Sequence, residues 1–312
     1  MAREFWLLFA GQITSFLGLL VNPFYLTSVC RQLLGQLAAS LRAISDRHGV
    51  SLEWSRLQIP FQGRWKVMRG GVTRTTSHSW ALLSQRYAYD FLVVDEKGQS
   101  SRGRANTVSD YFSWGRSIHS PTTGVMVRVE DRWGDNPAGA RFRLPLTCRT
   151  LLGNHVVIQQ ESRSVFVLIA HLQSGSCVHR VGDRVNVGDY IGRCGNSGIS
   201  TEPHVHLQVQ DRPDFFSARG LPVAFERVTV LSPVGTRRAQ VGVVRGGDLV
   251  ETAHIGLEAE ATADVLPRIV EHRAAITFLF TLVGLVALVA GVAASYYQLF
   301  RLVALELAPN LR

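Results

Sequence analysis

Three short stretches of this sequence carry side chains able to bind a metal ion or move a proton. The first is Pro203-His204-Val205-His206-Leu207-Gln208-Val209. In a strand, alternate side chains share a face. His204, His206, Gln208 and Gln210 therefore line one face, and Val205, Leu207 and Val209 the other. Two imidazoles side by side on a rigid strand can hold one metal ion together, or one can ligate while the other handles protons. By itself such a pair also fits two ordinary polar strand positions. The second stretch is the apolar run Val165-Phe166-Val167-Leu168-Ile169-Ala170, closed by His171. A histidine there can equally be a hydrogen-bonded core residue. The third is Gln85-Arg86-Tyr87-Ala88-Tyr89-Asp90-Phe91-Leu92, where a carboxylate stands among aromatic and apolar residues. A buried carboxylate without a cationic or metal partner is costly. His78 lies upstream in a Ser/Thr-rich loop. His78, Asp90 and His206 together make a zinc set of two histidines and one aspartate with a fourth position open, the mark of a catalytic zinc site.

The elements that must position these residues are short strands. From about Leu57 to Val230, apolar runs alternate with Gly, Asn, Asp and Pro turns: GVMVRVED, GNHVVIQQ, SVFVLIAHL, VGDRVNVGDYIG and PHVHLQVQD. This pattern predicts an all-β domain, an antiparallel β-sheet or sandwich over 52–230. Residues 231–263 read as a further strand or two and a linker. Residues 31–50 have helical spacing at Leu33, Leu37, Leu41 and Ile44, with Gly49 as a stop.

These pieces, in order, resemble the lysostaphin-like zinc endopeptidases. The resemblance rests on Gly153-Asn154-His155, Ala170-His171-Leu172, the stretch from Val181 to Gly192, Gly195-Asn196-Ser197-Gly198 and Pro203-His204-Val205-His206. It covers about Phe61 to Phe225. It implies a compact antiparallel β-domain with one zinc ion per chain in a groove, cleaving peptide bonds in peptidoglycan stem or cross-bridge peptides. Carried over, Asp90 and His206 would be zinc ligands, and His204 and His171 the catalytic histidines. The family's usual HxxxD spacing would put the third ligand at Arg86, which stays protonated and cannot ligate. His78 matches the place of the ligand in a branch where it stands further upstream, and His119 is the fallback. A longer loop can still return a ligand, because closure entropy grows slowly with length. A catalytically silent member, acting as a wall-binding or hydrolase-regulating module, is the alternative.

The flanks are apolar. Residues 274–297 (AAITFLFTLVGLVALVAGVAASYY) carry no charge. Their length suits a transmembrane helix at 1.5 Å per residue. Residues 1–30 read as a signal-anchor or first membrane span, weakened by Gln12, Asn22 and Pro23, with 31–50 as a juxtamembrane helix. The expected location is the cell membrane with the peptidase domain outside. Arginines flank both sides, so this orientation follows from the implied substrate and not from charge. The chain has 312 residues and a formal charge of +9, and Lys66 and Lys97 are its only lysines. That balance suits an anionic partner such as cell-wall polymer or lipid. No nucleic-acid motif accompanies it, so nucleic acid is not an expected partner. Protein partners of cell-wall or divisome type stay open. The absence of HExxH excludes a helix-borne glutamate base. The absence of any lysine after Lys97 excludes a biotinyl-type carrier at the VGDRVNVGDYIG hairpin.

Overall fold

In the computed structural model, the residues described are 18–45, 51–139, 144–232 and 235–252, with 262–263, 266 and 269–270. Residues 18–21 are helical, and helix α1 (Pro23–Ser45) follows them. Its strands are β1 (Ser51–Leu52), β2 (Ser55–Leu57), β3 (Trp65–Arg69), β4 (Tyr89–Leu92), β5 (Ser117–His119) and β6 (Gly124–Glu130). A short helix, α2 (Leu144–Thr147), precedes β7 (Asn154–Gln160), β8 (Phe166–Leu172), β9 (Arg184–Val185) and β10 (Tyr190–Arg193). The last strands are β11 (Val205–Gln210), β12 (Gly220–Leu221), β13 (Val223–Ser232), β14 (Gly235–Gly242), β15 (Leu249–Thr252), β16 (Thr262–Ala263) and β17 (Ile269–Val270).

The main sheet runs β16-β14-β13-β15-β3-β4-β11-β8-β7-β6-β9. Neighbours along it are antiparallel except β14 with β16, and β2 joins β13 in parallel. The expected all-β antiparallel domain is therefore present, and it extends past residue 230. β14 and β15 both pair with β13, and β15 also pairs with β3. The stretch read as an extension thus supplies interior strands as far as Thr252.

β7 and β8 are apolar without alternation because both faces are covered. Val156, Ile158, Val167 and Ile169 enter the main core with Trp65, Phe91 and Phe225. Val157, Leu168 and Ala170 point the other way, under Leu152 and Phe215. Sheets covered on both sides read as continuous hydrophobic runs.

Helix α1 crosses the expected boundary at residue 30 without a break. Asn22 Oδ1 accepts from the amides of Phe24 and Tyr25, capping its start. The packed stripe is Gly35, Gln36, Ala39 and Ser40, while Leu34 and Leu41 are exposed. The leucine spacing thus points at the wrong face. Small residues win because the backbone comes close: a Cβ on Gly35 would lie 2.0 Å from the Phe216 carbonyl oxygen. Gln36 fastens the contact, accepting from the Leu83 amide at 2.8 Å and donating to the Ala81 carbonyl at 2.6 Å. Among the described residues, no helix is long and apolar enough to cross a membrane. Most of the N-terminal apolar segment and all of 274–297 lie outside the described residues.

Candidate metal centre and histidine cluster

β4, β11 and β8 lie side by side, and this order assembles the site. His206 faces Asp90 across one ladder and Ala170 across the other. Directly opposed residues point to the same face, so Asp90 and His206 meet above the sheet, and His171 follows Ala170 at the strand end. His78 returns from the loop before β4. Its Nε2 lies 3.5 Å from Asp90 Oδ2, and His206 Nδ1 lies 2.9 Å from Asp90 Oδ1. One donor atom from each of His78, Asp90 and His206 falls within 4.8 Å of the others. Arg86 is held elsewhere, donating to the Trp80 carbonyl and lying over the Trp80 ring. His119 is not part of the cluster; its ring bonds the Gly188 carbonyl and packs edge-on to Tyr190.

The other two histidines stand beside this set. His204 Nε2 is 3.8 Å from Asp90 Oδ1, and the His171 and His204 ring centroids are 4.7 Å apart. Backbone carbonyls settle their tautomers, because a carbonyl can only accept. His204 Nδ1–H donates to the Glu202 carbonyl at 2.8 Å, with Ser200 Oγ 3.1 Å away. His171 Nδ1–H donates to the Ser197 carbonyl at 2.8 Å. Both Nε2 lone pairs are left for the site. Sequence reasoning missed these carbonyl anchors, and no signal could have found them, because any residue type can supply one. Glu202 has a second contact: its carboxylate accepts from Ser100 Oγ at 2.6 Å.

The electrostatics follow from burial. Burial alone would raise the Asp90 carboxyl. The His206 hydrogen bond and the charges of His204, His206 and His78 outweigh it and hold the group well below the usual range. Burial, then the neighbouring His204 and His206, push His171 well below an ordinary histidine. Burial also lowers His78. Burial would lower His206 too, but its bonds to Asp90 and Gln208 reverse the sign and raise it. Arg69, exposed and opposite Asp90 in the β3–β4 ladder, adds a positive charge at the rim. The donor set fits a zinc ion: two imidazole nitrogens and one ionised carboxylate, with neutral His78 favoured by its surroundings.

Residues 110–217 match the model of peptidase family M23. His171, His204 and His206 lie inside the match, while His78 and Asp90 precede it. No curated protein matches the chain. Among solved structures, it is similar to the catalytic domain of lysostaphin from Staphylococcus simulans at 18% identity, covering 51% of this chain and 88% of that one, TM-score 0.29. It is also similar to a variant of the catalytic domain of the prophage-encoded M23 protein EnpA from Enterococcus faecalis: 15% identity, 55% and 93% covered, TM-score 0.27. A third similarity is to the SpoIIQ–SpoIIIAH pore-forming complex: 11% identity, 54% and 89% covered, TM-score 0.33.

Proposed function

We propose that this chain is a membrane-anchored zinc endopeptidase that hydrolyses peptide bonds in the stem or cross-bridge peptides of peptidoglycan. The observation that carries the reading is the convergence of His78, Asp90 and His206 within 4.8 Å, with His204 and His171 beside them. In this reading His78, Asp90 and His206 hold one zinc ion. Bound there, zinc supplies a Lewis acid for the scissile carbonyl and makes a water molecule more acidic. His204, its Nδ1–H held by the Glu202 carbonyl, presents Nε2 to take a proton from the attacking water. The leaving amine needs the one proton that His204 has taken from the water, and His171, its ring centroid 4.7 Å from that of His204, can pass it on only after its own Nε2 has received it; the lowered pKa of His171 favours its release. The extracytoplasmic location follows from the substrate, and the uncharged 274–297 stretch supports the anchor. The net charge of +9 suits an anionic polymer.

The test is elemental analysis of the full chain in detergent, paired with digestion of purified peptidoglycan and detection of new amino termini. The expected result is one zinc per chain and new amines that disappear on chelation. No zinc after metal loading would sink the enzyme reading, and zinc without turnover on any wall peptide would leave the silent binding module.

A further inference from the structure

A hydrogen-bonded chain of amides runs from His206 away from the site, and proton transfer makes no use of it. His206 Nε2 lies 2.9 Å from Gln208 Oε1. Gln208 Nε2 donates to Gln210 Oε1 at 2.5 Å, and Gln210 Nε2 donates to the Arg212 carbonyl at 2.8 Å. Gln208 is 1% exposed and Gln210 0%. Two buried amides on consecutive same-face positions of a core strand are costly unless fully paired, so their arrangement calls for a reason.

The far end of the chain sets its direction. A backbone carbonyl cannot donate. Gln210 must therefore turn its NH2 toward Arg212, which leaves its Oε1 facing Gln208. Gln208 must answer with its NH2, which turns its Oε1 toward His206. An amide oxygen there is satisfied only if His206 carries a proton on Nε2. Nδ1 faces an acceptor too, the Asp90 carboxylate, so the ring can hold both protons; the one a metal ion displaces is then that on Nδ1, because Gln208 keeps the one on Nε2. Were the Gln208 amide reversed, its NH2 would meet Nε2, the ring proton would move to Nδ1, and the metal-facing nitrogen would be blocked.

We propose that the Gln208–Gln210–Arg212 carbonyl chain is a polarity relay that makes Nδ1 the ligating nitrogen of His206, with Gln208 and Gln210 as positioning residues. The inference rests on the zinc reading above. Partners of this kind typically change metal affinity by about 10- to 100-fold.

The test measures zinc affinity of the full chain by competition with a chromophoric chelator, with thermal unfolding followed in parallel. Gln210→Met keeps the side-chain length and removes the polarity anchor, and it should weaken zinc binding by about tenfold or more. Adding Gln208→Glu should restore the affinity, because a carboxylate only accepts and needs no anchor to orient it. A purely structural role for Gln210 would show no such rescue. Zinc binding as tight as wild type in Gln210→Met, or a folded double variant no tighter than the single one, would overturn the relay. Should Gln210→Met not fold, the zinc-loaded wild type decides by 1H–15N spectroscopy. A proton on His206 Nε2 supports the relay, and a proton on Nδ1 overturns it. Wild type that takes up no zinc overturns the metal site itself, and the relay with it.

Discussion

His171 occupies φ +64°, a left-handed backbone that a non-glycine residue holds only when its surroundings demand it. The demand is visible: its amide donates to the Leu152 carbonyl, its carbonyl accepts from Gly195, and its ring is fixed by Ser197. Ser197 is placed in turn because the Gly153 and Gly198 loops touch; a Cβ on Gly198 would lie 2.3 Å from the Gly153 nitrogen. His171→Ala should therefore keep zinc and lose turnover by about 10²- to 10⁴-fold, whereas His206→Ala should lose the metal; zinc content and wall digestion, measured together, separate the two. His155 gives a pH prediction away from the site. It is 7% exposed, its Nδ1 bonds the Gly153 carbonyl, and its Nε2 has no partner among the described residues. Burial lowers its pKa in the folded chain. Below about pH 6.5 the unfolded chain binds the proton that the folded chain refuses, so stability is full above that pH and falls as pH drops beneath it. Denaturant melts of the metal-free chain between neutral and mildly acidic pH should show this loss, and His155→Gln should reduce it. Equal slopes in the two proteins would refute the assignment.

At the scale of elements, the decisive feature is the adjacency of β4, β11 and β8. It converts positions far apart in sequence into one cluster, and a one-residue register slip would turn His206 to the opposite face. Helix α1 braces the neighbouring loops. Gln36 binds both Ala81 and Leu83, and Arg42 donates to the Ser217 carbonyl. Gly35→Val would force side-chain atoms into the Phe216 carbonyl and should loosen the helix without touching the histidines. The expected result is destabilisation of about 1–3 kcal/mol, the usual cost of overpacking. Hydrogen exchange should rise at Ala81 to Ser84 while zinc affinity is kept. Unchanged exchange at those amides would show that the helix adds nothing to their stability.

At the scale of the whole molecule, β14 and β15 are interior strands of the main sheet, so a truncation at residue 230 would remove strands that neighbour β3 and β13. Membrane attachment belongs to this scale too. If the apolar flanks insert as proposed, the protein should partition with membranes and resist high-salt extraction, which strips surface-bound basic proteins and leaves spanning helices. Protease added to intact spheroplasts should then digest the middle domain. Its protection until the membrane is opened would place the domain in the cytoplasm and remove the wall from its reach.

The sequence by itself determined what depends on local pattern. Alternation placed His204 and His206 on one face of a strand, unbroken apolar runs marked β7 and β8, and the buried setting of Asp90 demanded a cationic or metal partner. The resemblance to the lysostaphin-like peptidases also pointed to His78 as a ligand, since the family's usual position holds Arg86, which cannot ligate. Only the tertiary structure decided what depends on approach between distant segments. Strand order brought Asp90 to His206, and loop closure brought His78 to both. Close backbone contact at Gly35 chose small residues over leucines for the packed face of α1. The carbonyls of Glu202, Ser197 and Arg212, which orient His204, His171 and the amide chain behind His206, are invisible in a sequence. Every residue carries a carbonyl, and only the fold decides which histidine or amide it meets.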